Sequence, residues 1–140
     1  MAFTATQLTY MLLTFQRAAD RIATAEYCVC RGAVARNAAG GTCSPDDPEA
    51  ASFDVCGVLL SFGTTPEQER ALLSTLARAN KLNPWQHLSA WADTLSPLQV
   101  VDALRAGAEW CYDRMGEMSV TDKVPDTVRC RWLPYRLSGG

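Results

Sequence analysis

Cysteines at positions 28, 30, 43, 56, 111 and 130 are the most chemically suggestive residues of this 140-residue chain. Thiolates ligate zinc and attack electrophilic centres, so both chemistries have to be weighed. Cys28, Cys30, Cys43 and Cys56 supply four sulfurs, with intervals of thirteen residues from Cys30 to Cys43 and from Cys43 to Cys56. Structural zinc sites draw ligand pairs from Cys-x-x-Cys turns, because a tight turn aims two sulfurs at one ion. Cys28-Val29-Cys30 has a single intervening residue. Small apolar side chains packed in a core are the simpler reading of the set, and no metal or cofactor is expected. An even cysteine count also fits a disulfide framework. Met1–Gln7 carries neither the basic flank nor the apolar stretch of an export signal, so reduced thiols in a cytoplasmic protein are the expectation.

Cys56 is the candidate nucleophile, with His87, the chain's single histidine, as base and Asp93 to orient it. The reading requires a lowered thiol pKa, yet Cys56 falls well inside an expected helix where dipole assistance is weak. Asp46, Asp47 and Glu49 lack the spaced oxygen ligands of a calcium loop, and helix capping accounts for them better. Gly40-Gly41 is followed by Cys43-Ser44-Pro45 and not by a basic helix start, so no phosphate cradle is expected. The last twenty residues hold the strongest binding signal: Arg129, Arg131, Trp132, Tyr135 and Arg136 mix cations with aromatic rings. Such a mixture stacks on bases, and the same residue types dominate protein interfaces.

Composition decides between those two partners. Thirteen basic against fifteen acidic residues give a net charge of -2, so no whole-chain positive field draws in nucleic acid or acidic lipid. A hydrophobic content of 48% with 20% charged residues is that of a globular chain able to bury a core. No apolar run approaches the ~20 residues of a membrane span. A protein partner is therefore expected, with homo-oligomerisation through helical faces left open.

The elements that must position these groups are mostly helical. Leu8, Met11, Leu12, Phe15, Ala19 and Ile22 recur at helical spacing over about residues 6–26, capped by Thr4 or Thr6, with Gln7, Gln16, Arg17, Asp20 and Arg21 mostly on the other side. Residues 28–43 predict a small hairpin turning at Asn37–Gly41 and returning through Thr42 and Cys43. Ala50–Phe62 predicts a buried helix with Phe53, Cys56, Leu59 and Leu60 inward, closed by Gly63. Thr65-Pro66-Glu67-Gln68 and Ser96-Pro97-Leu98-Gln99 are helix starts: a hydroxyl cap, proline in the first turn and glutamine three residues past the cap. The second of these helices carries Leu98, Val101, Leu104, Ala108 and Cys111 as its apolar stripe, and Pro84 opens a shorter helix with Trp85, Leu88 and Trp91. The expected fold is mainly α, a small single-domain helical bundle over residues 1–118 with one short β-hairpin, followed by a C-terminal arm over 119–140 that Pro125 and Pro134 keep from forming one helix.

The order of these parts resembles a bacterial and phage family known as domain of unknown function 6197. The resemblance rests on the first helix, on Ala33-Val34-Ala35-Arg36-Asn37-Ala38-Ala39-Gly40-Gly41, on the loop Ser44-Pro45-Asp46-Asp47-Pro48-Glu49-Ala50, and on Asp54-Val55-Cys56-Gly57-Val58 and Trp91-Ala92-Asp93. It spans about Leu12 to Ala108. Asp54 stands where the family has cysteine, with Cys56 shifted beside the glycine, and Ala92 stands where it has asparagine. The resemblance implies a fold and a phage or mobile-element setting, and it brings no activity. Residues and resemblance together predict a non-enzymatic accessory protein that binds another protein through Arg129, Arg131, Trp132, Tyr135 and Arg136, with Asp46–Glu49 as a second surface. The alternative is a thiol- or zinc-dependent enzyme centred on Cys56.

Overall fold

A computed structural model describes residues 3–24, 27–83 and 87–118 of the chain. Helix α1 spans Ala5–Ala23 and begins at Thr4, whose hydroxyl accepts from the Gln7 backbone at 3.1 Å while the Gln7 carboxamide accepts from the Thr4 backbone at 2.8 Å. Each bond satisfies a donor that the first helical turn leaves without a partner. The expected stripe of Leu8, Met11, Leu12, Phe15, Ala19 and Ile22 is buried throughout. Gln16, expected on the polar side, is buried as well, and its carboxamide has no hydrogen-bond partner.

After α1 the chain departs from the expected hairpin. Strands β1 (Cys28–Val29), β2 (Ala35–Asn37) and β3 (Ala50–Phe53) form one sheet in the order β1-β3-β2. β1 runs parallel to β3, pairing Cys28 with Ser52 and Val29 with Phe53, whereas β2 runs antiparallel to it, pairing Ala35 with Phe53. The Asn37–Gly41 turn forms where expected, and Arg36 bridges Thr42 across it. Residues 42–43 contribute no strand of their own, and the central partner comes from a segment that the sequence reads as helix. Ala50–Phe53 is extended, and the helix, capped by Asp54, begins at Val55, five residues later than its apolar spacing suggests.

Helix α2 is the short Val55–Leu60 segment, with Asp54 as its N-cap accepting from the Gly57 backbone at 2.7 Å. All of its residues are buried. A methyl group at Gly57 would overlap the Val34 carbonyl oxygen, so glycine lets α2 lie directly against the backbone entering β2. α2 ends at Leu60 with Ser61 as its C-cap, which corrects the expected closure at Gly63; that glycine, at φ +81°, turns the chain two residues further on. Helix α3 (Pro66–Ala79) and helix α5 (Pro97–Gly116) both start with the reciprocal caps read from the sequence, Thr65 with Gln68 and Ser96 with Gln99. Between them the short α4 covers Leu88–Ala92. Leu98, assigned to the inner stripe of α5, is 71% exposed because it falls in the first turn, ahead of the packed stretch.

The molecule is mainly helical with a small mixed sheet. Its most extensive packing is between α1 and α5. Thr9 meets Met115 and Phe15 meets Gly107, so the two helices run antiparallel. Gly107 is the close-approach point, since a side chain there would occupy the space of the Phe15 ring. α3 is tied to both helices, through the Thr75 hydroxyl on the Met11 sulfur at 3.5 Å and the Asn80 carboxamide donating to the Ala103 carbonyl at 3.1 Å. Arg17 and Arg21 close over the Phe62 ring at 4.1 and 4.3 Å, and Arg21 also donates to Ser61 at 3.0 Å. A single buried cluster links all five helices with β2 and β3. No helix among the described residues is long and apolar enough to cross a membrane.

Candidate functional site

The sheet and the start of α2 gather several of the groups with chemical potential. Cys30 extends the parallel ladder past β1, its backbone donating to the Phe53 carbonyl at 2.9 Å, and its thiol lies 3.4 Å from the Ala33 carbonyl. The loop that follows is pinned twice: Gly32 donates to the Asp93 carboxylate at 2.9 Å, and the Val34 carbonyl accepts from Asp54 at 3.1 Å. Asp93, at the C-terminal end of α4, thereby fastens that short helix to the sheet. Cys30, Ser52, Asp54, Cys56 and Asp93 interact as one group around the N-terminus of α2.

The electrostatics of this group work against a thiolate. Cys56 sits in the first turn of α2 and not deep within a longer helix, which corrects the sequence reading and gives it the position that usually favours ionisation. Its thiol is nevertheless pushed up to about 12, first by burial and then by the negative charges of Asp54 and Asp93. Burial likewise raises Cys30, with Asp54 adding to the shift while Ser52 and Arg36 partly offset it. Asp54 itself lies above the ordinary carboxylate range, because burial and neighbouring Asp93 outweigh the bonds from the backbone N–H groups of Gly57 and Cys56.

The remaining candidates are dispersed. His87 is exposed at the N-cap position of α4 and makes no side-chain cap bond. Asp93 ends the same helix with its carboxylate on Gly32, so it is committed to the loop. The charges acting on the buried Cys56 are those of Asp54 and Asp93. Cys28 is exposed, Cys43 half-buried and Cys30 and Cys56 buried, all of them free thiols, as is the buried Cys111, which burial alone holds at about 12. No three His, Cys, Asp or Glu side chains among the described residues come together to hold a metal ion, so the four-cysteine set is not assembled there. Asp46 and Asp47 serve a turn that leads into β3 and not a helix, which corrects the capping assignment: Asp46 accepts from Ser44 at 2.6 Å and Asp47 from the Glu49 backbone at 2.8 Å. Arg129, Arg131, Trp132, Tyr135 and Arg136 lie outside the described residues.

Surface concavity appears elsewhere, where three helix ends meet. Phe3, Leu8, Arg78, Trp110, Arg114, Glu117 and Met118 line an open cleft of about 250 Å³. Phe3 and Trp110 meet edge to face with centroids 6.2 Å apart, and the Arg114 guanidinium lies over the Trp110 ring at 4.7 Å. Arg114 also faces Glu117 at 3.9 Å, a loose and exposed pair. A second open concavity of about 360 Å³ lies between α1 and α3, lined by Tyr10, Met11, Gln68 and Ala71 among others. The first cleft escapes a sequence reading because its residues are scattered from position 3 to position 118 and belong to three helices. Asp54 did carry a local signal: an aspartate directly ahead of an apolar run, with an N–H donor three residues on, is an N-cap.

No family model, no curated protein and no solved structure matches the chain.

Proposed function

We propose that this protein is a non-enzymatic accessory factor that acts by binding another protein. The observation that carries the reading is the cleft at the ends of α1, α3 and α5, where Trp110 and Phe3 stand beside Arg78 and Arg114. Tryptophan and arginine are enriched among the residues that dominate protein interfaces, because each combines a large contact area with directional hydrogen bonding. The cleft also reaches Met118, after which come Arg129, Arg131, Trp132, Tyr135 and Arg136. One continuous interface would draw on both. Kinship with the domain of unknown function 6197 family and a phage or mobile-element origin belong to the same proposal, and the order of motifs over residues 12–108 supports them.

A thiol enzyme centred on Cys56 is the competing reading, and its proximity to two carboxylates is the observation behind it. Those carboxylates disfavour the attacking thiolate, and the single histidine is exposed whereas Cys56 is buried, which ranks this reading second.

The test is capture from a lysate of the natural host with a tagged full-length bait and a bait ending at Met118. The buried cluster among the described residues runs from Leu8 to Met115, so the shortened bait retains it, and circular dichroism checks its helix content. The expected result is one partner recovered near stoichiometrically by the full chain and lost by the shortened one. Equal recovery by both baits removes residues 119–140 from the interface.

A further inference from the structure

We infer that the cleft formed by Phe3, Leu8, Trp110 and Met118 beneath Arg78 and Arg114 receives a bulky apolar side chain from an acidic segment of the partner. This assignment rests on the protein-binding reading and names the partner's chemistry. The walls and the rim ask for different things. Half-buried Phe3, Trp110 and Met118 present apolar surface beside the buried Leu8, and a volume of about 250 Å³ suits one or two side chains. A cleft of that size falls below the usual range for a drug-sized ligand.

The rim selects charge. The Arg114 guanidinium lies over the Trp110 ring at 4.7 Å, and its N–H donors are the groups that a carboxylate would engage. Its contact with Glu117 is long, and both side chains are more than half exposed, so a partner carboxylate with better geometry can displace it. Arg78, in the last turn of α3, stands on the rim of the same cleft. Two arginines against one glutamate make the rim cationic on a chain whose net charge is -2. Residues 119–140 carry four basic and two acidic residues, so charge disfavours that segment as the occupant and extends the same preference for an acidic partner.

The test uses the full chain and two fluorescein-labelled peptides, one with a leucine flanked by glutamates and its twin with the glutamates replaced by lysines. Anisotropy measures binding, and the indole N–H resonance of Trp110, assigned with Trp110→Phe, reports the location. The glutamate peptide should bind, move the Trp110 resonance and lose affinity as salt rises, while its twin leaves the resonance in place. Arg78→Glu and Arg114→Glu should each weaken the glutamate peptide by about tenfold. Arg114→Lys should fall between wild type and Arg114→Glu, since it keeps the charge and loses the planar fork. Both arginines are exposed, so these variants leave the core intact. An unmoved resonance, which a cleft filled by residues 119–140 or by a second copy would also give, overturns the proposal, as does equal binding of the two peptides. A lysate partner captured equally by wild type and the doubly reversed chain overturns this cleft assignment while the protein-binding reading stands.

Discussion

Asp54 shows how one buried carboxylate can be both needed and costly. Its oxygen caps α2, and its charge is expensive because it sits among buried atoms beside Asp93. The two effects separate by substitution. An asparagine at this position would keep an acceptor for the Gly57 N–H and carry no charge, so Asp54→Asn should be more stable than wild type at neutral pH. Because the folded pKa lies above the unfolded one, the contribution of Asp54 is fully present below about pH 4 and is lost as pH rises through the folded value. The gain from asparagine should therefore vanish near pH 4, whereas Asp54→Ala should still cost about 1–2 kcal/mol there through loss of the cap. Urea unfolding of the three proteins across pH 4–8 checks both statements; a constant offset between the asparagine variant and wild type would show that charge burial plays no part. The thiols follow the same physics. With pKa values of about 12, Cys56 and Cys111 should resist alkylation in the folded protein at pH 8, and exposed Cys28 should react well ahead of both. Rapid native-state labelling of Cys56, read by peptide mass mapping, would revive the thiol enzyme. Stability should also fall as pH rises from about 9 toward 12, because the unfolded chain ionises these thiols before the folded one does.

Among the elements, the α1–α5 pair offers the sharpest packing test. Phe15 is fully buried and occupies the space that a side chain at Gly107 would need. Gly107→Ala should destabilise by about 1–3 kcal/mol through overpacking, despite the better helix propensity of alanine. Adding Phe15→Leu should recover part of that loss, so that the double variant is less damaged than the two single effects summed. Strict additivity in thermal unfolding would mean that the two positions do not touch. The same elements show what a sequence can reveal. Thr65 and Ser96 announce their helices because a cap is a local bond between residues three apart, whereas Thr4 and Thr6 are equal candidates in the sequence and the structure selects Thr4. β3 was hidden because Phe53, Cys56, Leu59 and Leu60 fit helical spacing, and a short apolar run has no unique period. Its pairing with Cys28 and Val29 lies more than twenty residues back in the chain, beyond any local signal. Gln16 was misplaced for a related reason: spacing put it on the flank of the stripe, and only the packed structure shows that flank to be buried.

For the whole molecule, function is a matter of which surface is offered and which chemistry is enclosed. Cys30, Asp54 and Cys56 are buried and Asp93 is tied to Gly32, while an aromatic and cationic cleft opens at the far ends of the long helices. The basic and aromatic residues of 119–140 stand out in the sequence as a candidate binding segment because they are close together, and they lie outside the described residues. The cleft does not stand out, because Phe3, Arg78 and Trp110 meet only after α1, α3 and α5 have packed. The central claim, binding and not thiol chemistry, is tested most directly by capturing the partner with three baits in parallel: wild type, Cys56→Ala and the chain ending at Met118. The account predicts equal recovery by wild type and Cys56→Ala, and loss with the shortened chain. Recovery that disappears with Cys56 and persists without residues 119–140 would contradict it.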